Sequence, residues 1–155
     1  TLASTPVIIK EEVRFVNALE RNQKQQALLA FVELWKRAWE SDDVEHYLSF
    51  YSEKFRTGGS NYKSWAKRKR VLNKRIEQRK IHISDLSILE SKNVVHVRFV
   101  QDYSSSNITD IGMKELFITQ ENGQYKIISE NWSRLKSPQP ATLQYAYQDS
   151  EESAL

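Results

Sequence analysis

Cysteine is absent from all 155 residues, which excludes disulfides, thiolate metal sites and any cysteine nucleophile. The absence leaves the compartment open, because periplasmic and cytosolic proteins alike can lack the residue. Long apolar runs are missing too. The longest, Ala27 to Val32, falls far short of the roughly 18 residues that a membrane-spanning helix needs. His46, His82 and His96 are scattered, with no His-x-x-His spacing and no Glu-rich partner, so neither a metal nor a cofactor is expected. Serines are plentiful, but none sits in a Gly-x-Ser-x-Gly elbow, which argues against nucleophilic catalysis. The chain opens at Thr1 with no signal-peptide pattern, and the expectation is a segment of a longer protein.

What the chain has instead is aromatic density and an uneven charge. Eight large aromatics lie between Trp35 and Trp65. Trp35 and Trp39 are one helical turn apart, as are Tyr47 and Tyr51, so each pair can line one wall of a shared hollow. The net charge of +3 hides a basic stretch. Residues 61–80 carry nine Lys or Arg against the single acid Glu77, while the rest of the chain sums to −5. A stretch of this kind reads as a solvated face, as a docking face for an anionic polymer or membrane surface, or as a nucleic-acid footprint. The last is ranked lowest, because only Tyr62 and Trp65 are interleaved with the charges.

Helical spacing dominates the first half. Residues 1–25 read as a lead-in, partly helical and without a clean apolar stripe. From Gln26, the positions Leu28, Phe31, Val32, Trp35, Ala38 and Trp39 follow amphipathic spacing. Ser41, Asp42 and Asp43 offer capping oxygens, and Asp42 with Glu45 has the spacing of a capping box, so a second helix is predicted to run to about Ser52. Thr57-Gly-Gly-Ser breaks the chain. Ser60 or Asn61 can then cap a basic helix over 61–80, with Trp65, Leu72 and Ile76 as its apolar positions and Arg68 and Lys69 on the same stripe.

The second half changes to period two. Strands are predicted from Ile81 to Ile88, from Val95 to Tyr103, around Met113 to Thr119, and from Tyr125 to about Trp132, with Asn122-Gly123 as a hairpin turn. Helices followed by an antiparallel meander define an α+β domain, expected over 26–136. Ser137-Pro-Gln-Pro-Ala leads into a flexible acidic tail over 137–155.

Polar residues on apolar strand faces are the candidate functional groups. Gln101 and Tyr103 continue the Val95-Val97-Phe99 face, and Lys114 shares parity with Leu116 and Ile118. A three-residue loop centred on Asn122 would place Lys114 opposite Glu130, whereas a two-residue loop would place it opposite Asn131. A Lys114–Glu130 pair is equally the mark of a purely structural bridge. Acid-base catalysis by Glu130 with Tyr51 or Tyr103 is the rival to simple binding, weakened because Lys114 would hold the carboxylate ionised. Trp65 and Trp132 sit at element ends, where the rim of a hollow would lie. Val94, Val100, Phe117 and Ile127 are expected on the outer sheet face, where a homodimer could form.

The ordered set Trp35-x-x-Ala38-Trp39, Asp43, Tyr47, Tyr51, Phe55, Trp65, Lys69, Val97-x-Phe99-x-Gln101-x-Tyr103, Gly112-x-Lys114-x-Leu116 and Gly123-x-Tyr125-Lys126-Ile127 resembles the nuclear-transport-factor-2-like (SnoaL-like) fold. More narrowly, it resembles the domain of that fold appended to bacterial L,D-transpeptidase-family proteins, including cell-shape-determining carboxypeptidases. The resemblance covers about residues 26–133. It implies three helices against a curved antiparallel sheet, frequent dimerisation and a periplasmic, cell-envelope setting. Catalytic activity does not carry over, since the Cys and His motif of those enzymes does not occur here. The implied role is a non-catalytic accessory domain that binds cell-wall glycopeptide or a small polar ligand, or assembles. Its matching ligand positions are Trp39, Tyr51, Trp65, Lys69, Gln101, Tyr103, Lys114 and Glu130, with Trp132 added by its position. Tyr125 stands where the family often has Trp.

Overall fold

The computed structural model describes residues 4–135, with side chains from Glu20 onward. The acidic tail over 137–155 lies outside the described residues. The chain divides into two compact units, Thr1–Leu34 and Trp35–Leu155. In the first, the described backbone is one helix, α1, which spans Ser4–Glu40 and runs unbroken through residue 26, where the sequence pattern changes. From Trp35 onward α1 belongs to the second unit, which holds everything that follows.

The second unit continues with α2 (Val44–Leu48), β1 (Arg56–Thr57), β2 (Ser60–Asn61), α3 (Tyr62–Asn73), β3 (Lys80–Glu90), β4 (Val95–Ser104), β5 (Thr109–Glu121) and β6 (Gln124–Arg134). β3 to β6 form one antiparallel sheet in sequence order, and β1 pairs with β2 in a two-residue-loop hairpin across Gly58-Gly59. Helices lie against one sheet face. Trp35 meets Phe99 edge-on at 5.9 Å between ring centroids, and Trp39 packs on Tyr103 at 5.4 Å.

The helices stop earlier than their sequence pattern suggests, and for tertiary reasons. Asp43, not Asp42, caps α2 by accepting from the His46 N–H at 3.1 Å, while Glu45 spends its carboxylate on Arg70 at 2.6 Å. α2 ends at Leu48 instead of near Ser52 because β6 captures the next backbone groups. Ser52 N–H donates to the Ile127 carbonyl, and Ile127 N–H donates to the Phe50 carbonyl, both at 2.9 Å. α3 is capped by Asn61, as expected, but ends at Asn73. The chain then reverses through Gln78, whose φ of 56° is left-handed, and Lys80 already belongs to β3.

Two bulges bend the sheet. One lies between Ser84 and Ser87 on β3, the other between Phe117 and Ile118 in the β5–β6 pairing. The second corrects the expected register. Asn122 and Gly123 form a two-residue turn with φ of 52° and 76°, and Ile118 pairs with Ile127. Beyond the extra residue at Ile128, however, Leu116 pairs with Glu130 and Lys114 with Trp132. The added residue changes which parity faces inward, so that Ile127 and Glu130 are both buried on the concave side. Ile127 is therefore a core residue at 0% exposure, not part of the outer face. The other three expected outer residues, Val94, Val100 and Phe117, are half-buried.

Candidate functional site

Three cations and one carboxylate are buried together on the concave face of the second unit. α3 supplies Lys69, the segment before β3 supplies Arg79, β5 supplies Lys114 and β6 supplies Glu130, all 7% exposed or less. Lys114 Nζ donates to Glu130 Oε2 at 3.2 Å. The two residues are diagonal neighbours across the strands, since Glu130 sits opposite Leu116. The pair anticipated from sequence thus forms through a register the sequence did not indicate.

Aromatic rings wall this cluster. Lys69 Nζ lies 5.7 Å from the Trp39 ring centroid and 5.8 Å from that of Trp65. Lys114 Nζ lies 5.4 Å from Trp39 and 5.9 Å from Trp132. Trp39 therefore serves both ammonium groups, a cation–π arrangement that compensates part of their lost hydration. Tyr51 closes the cluster from the helical side. Its hydroxyl accepts from Trp35 Nε1 at 3.1 Å, lies 2.8 Å from the Tyr47 hydroxyl, and approaches both Glu130 oxygens at 3.3 and 3.4 Å. Burial, and then the negative charge of Glu130, push the Tyr47 and Tyr51 hydroxyls well above the ordinary range, so both stay protonated as donors.

Of the sequence candidates, Trp39, Tyr51, Trp65, Lys69, Lys114, Glu130 and Trp132 are joined by these contacts, and Tyr103 enters through its tilted packing on Trp39. Trp65 is not at a rim. It is 3% exposed, because the first turn of α3 drives it into Tyr51 and Phe55 at centroid distances of 4.4 and 4.5 Å. Gln101 lies on the same concave face, between Ile83 and Gly112 in register. It is fully buried, and neither atom of its side-chain amide has a hydrogen-bond partner among the described residues. An amide left in this state costs free energy that a ligand could recover.

Gly112 gives Trp132 its place. A Cβ at this position would sit 2.5 Å from the Ser133 carbonyl oxygen and 2.6 Å from Trp132 Cη2, so only glycine lets the indole lie along the strand. Sequence reasoning placed Trp35 and Tyr47 on the walls of the hollow without counting them among the ligand positions, and it missed Arg79 altogether. Arg79 donates to the carbonyl oxygens of Trp39 and Ile76 at 3.5 and 3.2 Å. Its only sequence signal was the i, i+3 spacing from buried Ile76, hidden in a basic run.

Burial, with Lys114, Arg79 and Arg68 nearby, lowers Lys69 to about 7 despite the opposing pull of Glu130. The unfolded chain, with Lys69 near its ordinary 10.5, then binds a proton that the folded chain lacks between these values. Stability is therefore expected to rise as pH increases from about 7, and to be insensitive to this group below it. Above about 10 the two tyrosines reverse the slope, since only the unfolded state releases their protons. Urea midpoints measured across this range should show the rise in the native chain and lose it in Lys69→Met; a native profile flat from pH 7 to 9 would contradict it.

A second cavity of about 730 Å3 at the hairpin end is lined by Ser49, Ser52, Lys54, Tyr62, Glu121 and Lys126, among others, and shares Tyr51 with the concave site. Its polar groups bond to each other: Ser52 Oγ donates to Glu121 at 2.8 Å and Lys126 Nζ to the Ser49 carbonyl at 2.6 Å. No group of three or more His, Cys, Asp or Glu positioned to hold a metal occurs among the described residues, and no described helix is long and apolar enough to cross a membrane.

Helices lining the concave face of a bulged antiparallel sheet, with a polar cluster between them, define a nuclear-transport-factor-2-like α+β domain. Residues 27–131 match the family described as the Cds6 C-terminal NTF2-like domain, and the chain belongs to that family. Among solved structures it is similar to Bd1075 of Bdellovibrio bacteriovorus, at 37% identity and a TM-score of 0.69, over 75% of this chain and 43% of that one. It is also similar to Pgp2 of Campylobacter jejuni, described as a helical cell shape determining protein, at 32% identity and a TM-score of 0.61, over 67% of this chain and 39% of that one. The chain thus spans less than half the length of these two relatives. A putative scytalone dehydratase of Novosphingobium aromaticivorans shares the fold at 12% identity and a TM-score of 0.65, over 75% of this chain and 87% of that one. A search of curated proteins finds no match.

Proposed function

We propose that this chain is a non-catalytic, ligand-binding accessory domain of a periplasmic peptidoglycan-processing protein, and that its concave site takes a carboxylate-bearing piece of cell-wall peptide. The observation that carries the reading is the imbalance of the buried cluster: three basic side chains, Lys69, Arg79 and Lys114, against the single carboxylate of Glu130. A ligand carboxylate would correct that imbalance, the unpartnered Gln101 amide would meet a peptide group, and the indoles of Trp39 and Trp132 would cover its apolar parts. The similarity to a cell-shape protein supports the envelope setting.

Acid-base catalysis is the rival, and the geometry counts against it. Glu130 is 7% exposed, engaged by Lys114 and approached by Tyr51, whereas a general base must reach the proton it takes from its substrate. Calorimetric titration with a soluble disaccharide-tetrapeptide should give saturable binding that weakens at least about tenfold in Lys114→Met, the loss of a charge-assisted hydrogen bond. Because a bound carboxylate would favour the charged form of Lys69, binding near pH 8 should take up protons, seen as a dependence of the heat on buffer ionisation. Absence of binding, or turnover of a small carbonyl substrate abolished by Glu130→Gln, would overturn the proposal.

A further inference from the structure

Most of the basic stretch does not enter the site, and its arrangement on α3 is regular. At about 100° per residue, the buried Trp65, Ala66 and Lys69 occupy one side of the helix, with half-buried Leu72 beside them. Lys63, Lys67 and Arg70, with Lys74 at the helical-conformation C-cap that follows Asn73, recur at i, i+4, i+7 and i+11 on the solvent side. They form a row within about 60° of arc whose members rise by about 4.5–6 Å each. Arg68 lies to one side of the row and Arg75 follows in the turn beyond the helix; all six are exposed.

Two of the six are engaged: Arg70 by the Glu45 carboxylate and Arg68 by the Ser60 hydroxyl at 3.0 Å. Lys63, Lys67, Lys74 and Arg75 have no ion pair among the described residues. The face lacks an apolar wedge and a stacking platform. Its only large exposed apolar residue is Val71, at 46%, too little for membrane insertion. Trp65 is buried and Tyr62 half-buried, which removes the exposed stacking platform that single-stranded nucleic acid uses.

We propose that this row docks a linear polymer carrying regularly repeated carboxylates, with intact peptidoglycan as the source. The contact is electrostatic, separate from the concave site, and joins neighbouring peptide stems of the strand whose single stem the site holds. The choice of polymer rests on the proposed function, but the row and its charge do not. Holding one strand at two places raises the effective concentration of each contact, so a weak exposed face contributes measurably to retention on a polymer and not at all to a monomeric fragment.

The test is co-sedimentation of the whole chain with purified sacculi, compared with a Lys63→Gln/Lys67→Gln/Lys74→Gln/Arg75→Gln variant and a milder Lys63→Gln/Lys67→Gln variant, each checked for an unchanged thermal midpoint. The native chain should pellet at low salt and be released as ionic strength rises to about 0.3 M, where screening shortens to a few ångströms. The fourfold variant should bind sacculi about tenfold or more weakly, the twofold variant less so, and all three should bind the soluble disaccharide-tetrapeptide equally. Pelleting that is salt-independent, or unchanged in the fourfold variant, would overturn the proposal. So would native binding to phosphatidylglycerol vesicles as tight as to sacculi and lost in the fourfold variant. If fragment binding fails while the salt- and variant-sensitive pelleting persists, the concave-site reading falls and the docking face stands.

Discussion

Glu130→Ala is expected to destabilise the fold by about 3–5 kcal/mol, the range for removing one partner of a buried ion pair. The loss arises less from the missing contact than from what stays behind. Lys114 is 1% exposed, and with Arg79 and Lys69 also buried the cluster would keep its basic groups and no carboxylate. The Tyr51 hydroxyl would lose the acceptor it approaches at 3.3 Å. Glu130 also raises the Lys69 pKa, so its removal should move that group below about 7 and steepen the pH dependence there. Replacing both partners, as Lys114→Met with Glu130→Leu, should recover most of the loss, because an apolar pair of similar volume needs no desolvation of charge. Urea denaturation of the two single variants and the double variant measures the coupling directly. If Glu130→Ala costs less than about 1 kcal/mol, as for an exposed pair, the carboxylate is hydrated and the electrostatic account of the site fails.

The sequence made the concave face readable because strand alternation is strict. Gln101, Tyr103 and Lys114 share parity with Val97, Phe99, Leu116 and Ile118 and are buried with them. Parity could not place Glu130 in the same way. The extra residue at Ile128 carries no Gly or Pro signal, and it is this residue that brings both Ile127 and Glu130 to the concave side. The end of α2 was equally hidden: residues 50–52 leave the helix because the Ile127 backbone binds them, a contact between positions about 75 apart that local propensity does not encode. Arg79 looked like one more surface cation. Only the reversal through Gln78 turns it inward to the carbonyls of Trp39 and Ile76. What stayed illegible depended on a bulge or a long-range backbone contact; what was legible depended on period.

Trp65→Ala is expected to cost about 3–5 kcal/mol and to lower the thermal midpoint by roughly 10 °C or more. Its ring packs against Tyr51 and Phe55 within 4.5 Å between centroids and lies 6.2–6.3 Å from Tyr62 and Tyr47. Truncation would leave a cavity bordered by rigid rings from several segments, which cannot collapse together into the space. Lys69 reports the same change through electrostatics. Its ammonium lies between the reach of Trp65 and Trp39, and burial is the main cause of its lowered pKa. Water entering the space should therefore move Lys69 toward its ordinary value and flatten the rise of stability above pH 7. Trp65→Phe should retain most of the packing and most of that slope. A Trp65→Ala variant with the native urea midpoint would mean that the indole lies at a solvated rim, as its position near an element end suggests, and that Tyr51 and Phe55 hold the helical wall without it.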